Sequence, residues 1–453
     1  MPGLEPAWGR VGGEKRWTGG VWQVHGRAVT FLDPAWAGRN YRVQTAATVV
    51  SGLGNAAAPI ATAFAVLHSD PRWGSAEVGY VTAARTVPLV VLLLVGGAVA
   101  DRLPRHLVMV GANLFNAGSQ GVLAALVLFG HPSLWALMAL SAAGGAGQAF
   151  YAPAAEGVIL QAVPAEHAAK AFSVFKMAMN GASIAGAALG GVLVAVVGPG
   201  WVLAADAACF AVAAALRAGL EPEGPGRGPA RPGLAHELLV GWREFTARRW
   251  LWAIVVQFGL MNACVLAVEA VYGPVVAEDR MGGAGAWGVA MAALSVGMVV
   301  AGPLMTRWQP RRLLLVGNGG VFLFGLPPLA LALGWPLLPV ALAMFLAGLG
   351  TTVFVVGWMV TLQQEIPEEL LSRMSAYDSF GSFALLPLGT ALAGPAADAF
   401  GLSGALWGCA LICAVLAGLV LLVPEVRHLE RAVPEARAGS RAGAAEAEVV
   451  TSG

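Results

Sequence analysis

Two stretches of this chain carry no Asp, Glu, Lys or Arg at all: residues 106–155 and 313–364. A helix needs about 20 mostly apolar residues to cross a bilayer, so each stretch is about twice a single span. Each is broken once by turn-forming residues, Gly130-His131-Pro132-Ser133 and Gly334-Trp335-Pro336. Each therefore reads as a helical hairpin inside a membrane. Further spans are expected at roughly 41–67, 76–100, 168–197, 200–219, 250–276, 284–306, 371–398 and 401–423, which with the two hairpins makes twelve. Composition agrees: 57% of the 453 residues are hydrophobic and 12% charged. A soluble domain carries about 25% charge, so a water-soluble enzyme is excluded.

The basic residues test the count. With twelve spans and the N-terminus inside, the outer loops hold only Arg72 and Arg280, and Arg85 lies within a span. The other Lys and Arg residues fall in cytoplasmic segments or near cytoplasmic helix ends, which is the positive-inside bias. Both termini are expected in the cytoplasm, in a multi-pass protein of the plasma membrane. The net charge of +1 names no partner, and no basic block suits nucleic acid. Cys209, Cys264, Cys409 and Cys413 lie in apolar runs without zinc spacing. They read as small buried hydrophobes, although Cys409 and Cys413 share a helix face. No metal site or cofactor is expected. No P-loop ending is present, so ATP is not the direct energy source, and no constellation of catalytic residues emerges.

The chain repeats weakly at an offset of a little over 200. Gln161-Ala-Val-Pro164-Ala-Glu166 ends the first hairpin and Gln364-Glu-Ile-Pro367-Glu-Glu369 ends the second. The expected organisation is a cytoplasmic tail over 1–39, a six-helix bundle over 40–219, a linker over 220–249, a second bundle over 250–423 and a disordered tail over 424–453. The linker is expected to hold a short amphipathic helix near 234–248, lying on the membrane surface. Six spans, a linker and six more is a parallel-repeat transporter layout, with its solute site between the halves.

The loop Gly97-Ala-Val-Ala-Asp101-Arg102-Leu-Pro-Arg105-His106 resembles the motif that joins spans two and three in the major facilitator superfamily. Gly97 allows close helix approach, and Asp101 can accept hydrogen bonds from another helix's N-terminus. Arg102 and Arg105 can hold the acid and lipid headgroups. In that family the loop locks against span eleven, where Asp378 stands about two turns in. Gly181, Gly186, Gly190 and Gly191 in span five resemble the glycine-rich motif of drug and proton antiporters, with Ala187 where a proline is usual. The resemblance extends to macrolide-efflux and enterobactin-exporter families and covers about residues 38–423. It implies an all-α major facilitator fold that exports amphipathic small molecules in exchange for protons, as a monomer. An importer of the same fold, and a transport-dead sensor or lipid-handling protein, remain alternatives.

Charges inside spans are costly and therefore functional candidates. Arg85 lies about ten residues into span two, roughly 15 Å deep, and reads as a substrate contact, a counter-ion or a structural pair. Asp206, expected near the outer face of span six, reads as a proton-carrying coupling carboxylate or as a cap or anchor of an outer helix end. Glu269, in the outer third of span seven, is the better coupling carboxylate. Glu156 and Lys176 are expected to pair across the turn at Pro164–His167, or to gate the cytoplasmic side.

Overall fold

In the computed structural model, the described residues are 16–18, 21–23, 37–130, 132–161, 163, 167–220, 242–308 and 310–429. Side chains of some helical residues, Asp101, Arg102, Glu156 and Arg373 among them, lie outside this set. So does most of the linker. Of the amphipathic helix expected near 234–248, only a helical turn and a half at 242–247 is described.

Two short paired strands, β1 (Arg16–Thr18) and β2 (Val21–Gln23), precede the bundle. All other regular structure among the described residues is helical. The first half holds α1 (Arg39–Ser69), α2 (Ser75–Arg102), α3 (Arg105–Phe129), α4 (Leu134–Gln161), α5 (Ala168–Val197) and α6 (Pro199–Ala218). After the turn at 242–247, here α7, the second half holds α8 (Arg249–Met281), α9 (Ala284–Arg307), α10 (Leu313–Ala332) and α11 (Leu337–Glu365). It continues with α12 (Glu368–Phe383), α13 (Leu386–Val420) and α14 (Pro424–His428). Helix is the form these apolar segments take because in lipid every backbone group must be satisfied within the segment. Two of them depart from regular α geometry. α8 carries π-helical turns at Val268–Tyr272 and Ala277–Met281, and α10 tightens to a 3₁₀ turn at Phe322–Gly325.

α13 is two helices. Gly401 has φ 73° and ψ 156°, and the chain reverses there. Gly198, between α5 and α6, has φ 87° and ψ 161°. This left-handed backbone is open to glycine at little cost. The two turns are 203 positions apart (198 to 401), the same spacing as Gln161 to Gln364. So α12 with residues 386–400 forms the eleventh span, and 402–420 forms the twelfth.

Close approaches extend that register through the bundle. Gly145 presses on the backbone oxygen of Arg85, and Gly348, 203 positions on, presses on that of Leu294. Gly186 meets the Leu53 oxygen, and Gly389, again 203 on, meets the Ala263 oxygen. Gly147 faces Asn116, and Gly350 faces Gly320. Small residues let helices approach where there is no hydrophobic force between them, and the two halves place them alike. At Gly181 no atom of the described residues lies within 4 Å of its Cβ position.

The halves meet along α2 with the eleventh span and along α5 with α9. Gly191 packs on Gly288, and Gly394 on Ala76. Both contacts lie toward the end of the bundle that carries the glycine turns and few charges, the end expected to face outward. There His68 Nε2 also stands 3.1 Å from Glu278 Oε1, joining α1 to α8 across the halves. Beyond the second bundle, α14 buries Val426 completely. Ordered chain therefore runs past residue 423, where a disordered tail was expected to begin.

Candidate functional site

A cavity opens inside the second half, between α8, α9, α10, α11 and the twelfth span. Its wall is largely apolar: Val268, Leu294, Phe324 and Met344 line it, with the thiols of Cys264, Cys409 and Cys413. Glu269 is the one ionisable carboxylate on that wall. It sits on the π-helical turn Val268–Tyr272, a distortion frequent at functional sites. The turn is held from outside, since Tyr272 Oη donates to the Ala393 carbonyl at 2.8 Å. Glu269 has no hydrogen-bond or ion-pair partner among the described residues, so a bound ligand or a proton has no protein group to displace.

The register of the repeat gives this cavity a counterpart in the first half. Leu294 corresponds to Arg85 and Ala263 to Leu53, so Cys264 corresponds to Gly54 and Val265 to Asn55. Cys409 stands 203 positions after Asp206, and Phe324 and Ala347 match Gln120 and Gly144. The matching residues converge in the first half too, but on a filled, polar cluster. Arg85 Nη2 donates to Asn55 Oδ1 at 2.6 Å. The Arg85 guanidinium lies close enough to Asp206 for their charges to interact directly. Gly144 leaves room for Arg85 and for the Gln120 amide, and Gly54 leaves room for the Asp206 carboxylate.

Asp206 does not cap or anchor an outer helix end. It is 0% exposed, and neither carboxylate oxygen has a hydrogen-bond partner among the described residues. Seven residues into α6, it sits roughly 10 Å from the helix start, beside Arg85 at about the same level. Asn113 and Asn116 of α3 add further buried amides to this region without hydrogen-bond partners among the described residues.

Asp378 takes a hydrogen bond from Trp358 Nε1 at 3.0 Å, which ties α12 to α11, and one within its own helix from Ser382 Oγ at 3.5 Å. The surroundings of Gly97 and the side chains of Asp101 and Arg102 lie outside the described residues, and with them the expected lock against the eleventh span. Arg105 opens α3. The expected Glu156–Lys176 pair also falls outside, because the Glu156 side chain is not described; Lys176 is half-buried on α5. Gly186 and Gly190 pack α5 on α1, while Gly191 packs it on α9 across the halves.

Arg217 was counted only as a basic helix end and proves to be a buried hub. Its Nε donates to Gln44 Oε1 at 3.0 Å, and its Nη2 donates to Thr48 Oγ1 at 3.0 Å and Tyr151 Oη at 2.7 Å. Its guanidinium carbon also lies 4.8 Å from the Tyr151 ring centroid. The second half braces its helices with neutral groups instead. Gln257 Nε2 donates to Asn318 Oδ1 at 2.9 Å, and Asn318 Nδ2 to the Ala417 carbonyl at 2.9 Å.

Known proteins share this geometry and sequence. The sequence profile of the Major Facilitator Superfamily matches residues 45–385 and again 288–451. The chain belongs to this superfamily. It is a membrane transporter and not an enzyme. It is 27% identical over 411 residues to the multidrug efflux pump Tap of Mycolicibacterium fortuitum, covering 85% of this chain and 96% of that one. It is 29% identical over 373 residues to the enterobactin exporter EntS of Escherichia coli strain K12, covering 76% and 83%. Among solved structures, the nucleoside transporter NupG aligns with a TM-score of 0.66 at 12% identity, covering 84% of this chain and 98% of that one. A bacterial homologue of the lysosomal transporter Spinster, inward-facing and occupied, aligns with a TM-score of 0.65 at 14% identity, covering 87% and 98%. These two likenesses concern the fold.

Proposed function

We propose that this protein exports amphipathic small molecules from the cytoplasm in exchange for protons, acting as a monomer in the plasma membrane with both termini inside. The observation that carries the reading is the apolar cavity with one unpartnered carboxylate, Glu269. The cavity lies between the spans of the second half. Its thioether, aromatic and aliphatic walls adapt to varied apolar cargo, while a single acid orients it. A carboxylate in such a place holds either a proton or a cargo group, and that exclusion couples the two fluxes. Tap and EntS, both named as exporters, support the direction.

Alternating access follows from rocking of the two halves. The contacts of Gly191 with Gly288 and Gly394 with Ala76, together with His68–Glu278, form the seam that must open for release. The Arg85–Asp206 cluster keeps the first half rigid and charge-balanced during that motion. The test is proton-driven uptake of labelled amphipathic drugs and siderophores into inverted membrane vesicles. Uptake that collapses with the proton gradient is expected. Flux that survives collapse of the gradient overturns antiport, and no flux for any solute overturns export.

A further inference from the structure

Three of the four cysteines of the chain face one cavity, and two of them are neighbours there. Cys264 of α8 and Cys409 of the twelfth span are close enough to perturb each other's thiol. Both line the cavity, and Cys413, one turn beyond Cys409, lines it too. All are free thiols. Cys209, the fourth, is elsewhere, packed toward Gly54 in the first half. The repeat sharpens the point: the pair occupies the positions that hold Gly54 and Asp206 in the other copy. One half joins α1 to α6 there with a carboxylate in a glycine gap, and the other joins α8 to the twelfth span with two thiols.

The geometry points to a dithiol site in this cavity that binds trivalent arsenicals, with both Cys264 and Cys409 as ligands. The reasoning rests on charge. Sulfur is a soft donor and selects soft acceptors. A monovalent soft cation held by two thiolates would leave a net negative charge beside Glu269, and charge inside a membrane is costly. A neutral arsenical avoids this. An organoarsenic oxide, R–As=O, reacts with two thiols to give R–As(S–Cys)₂ and water. Two As–S bonds form, two S–H bonds and the As=O bond break, and both protons leave on the oxygen as water. No oxidant is required, no arsenic redox change occurs, and the product is uncharged. Two thiols on one cavity wall can supply both bonds, and the apolar residues Phe324 and Met344 of the same wall flank the organic substituent R.

This inference does not depend on the transport reading, since binding to the purified protein tests it directly. The probe is phenylarsine oxide, added to protein purified in detergent. Intact mass is expected to rise by one phenylarsenical with loss of one water. After denaturation, maleimide should then count two free thiols instead of four. A dithiol such as 2,3-dimercaptopropanol should release the adduct, while a monothiol at equal concentration should not. Cys264→Ser and Cys409→Ser should each lose dithiol-specific retention, and Cys209→Ser should keep it. Release by the monothiol, four free thiols after treatment, or retention in the Cys264→Ser/Cys409→Ser double variant would overturn the assignment. The wild-type mass and thiol count decide the matter even where a serine variant folds poorly.

Discussion

The two halves of this transporter repeat one architecture and fill the same internal position in opposite ways. In the first half, Arg85, Asn55, Gln120 and Asp206 converge on it. In the second, Leu294, Val265, Phe324 and Cys409 surround a cavity instead. Helix spacing does not explain the difference, because the same glycine approaches at Gly145 and Gly348, and at Gly186 and Gly389, set it in both. Side chains do. A guanidinium occupies in one copy the space that a leucine leaves open in the other. A duplicated bundle can thus assign bracing to one half and cargo to the other without altering its fold.

The comparison can be broken most forcefully at Arg85. Arg85→Leu gives the first half the residue of the second and leaves Asp206 buried without its cation. Removing one of two neighbouring buried charges is destabilising, so the thermal midpoint in detergent should fall. The double variant Arg85→Leu/Asp206→Cys removes both charges and should recover much of that loss. A single variant as stable as wild type would show that the two charges do not support each other. The reverse exchange, Leu294→Arg, should leave the protein folded, fill the cavity beside Glu269 and reduce flux at least tenfold.

Arg217 and Gln257 give a smaller contrast of the same kind. Arg217→Ala strips partners from Gln44, Thr48 and Tyr151 and should cost about 2–3 kcal/mol, whereas Gln257→Ala should cost about 1 kcal/mol. Equal shifts in thermal midpoint would erase the distinction between a charged and a neutral brace. The smallest effect is expected outside the membrane. Hydrogen bonds from Arg72 hold the Asp70 carboxyl at about 2, below its ordinary value near 3.9. A depressed carboxylate stabilises the fold above the unfolded value, and that contribution is lost as pH falls through about 2. The pair lies at the surface, with Arg72 exposed and Asp70 partly so, so Asp70→Asn should leave the thermal midpoint at neutral pH almost unchanged.

The spans were legible because lipid forces long charge-free helices, and residues 106–155 and 313–364 contain nothing else. The repeat was visible at Gln161 and Gln364, yet its register inside the bundle was not. That needs to know which glycine faces which neighbour. Arg85 and Glu269 stood out because charge is scarce in the spans. For Asp206 the choice between a helix-end cap and an inward carboxylate stayed open, because distance along a helix gives depth and not direction, and the packing of α6 on α1 and α3 is what turns it inward. Arg217 was hidden among arginines that mark a helix end, since its partners come from α1 and α4. The cysteines looked inert for the same reason: nothing along the chain brings residue 264 to residue 409.

Glu269 carries the central claim, that the second half holds the cargo in a cavity whose one acid binds cargo and proton in turn. The most direct measurement compares thermal midpoint and gradient-driven flux for wild type and Glu269→Gln. An unchanged midpoint is expected, because Glu269 has no hydrogen-bond or ion-pair partner among the described residues, together with flux reduced to background. A Glu269→Gln protein that transports at the full wild-type rate under the same gradient would contradict that claim.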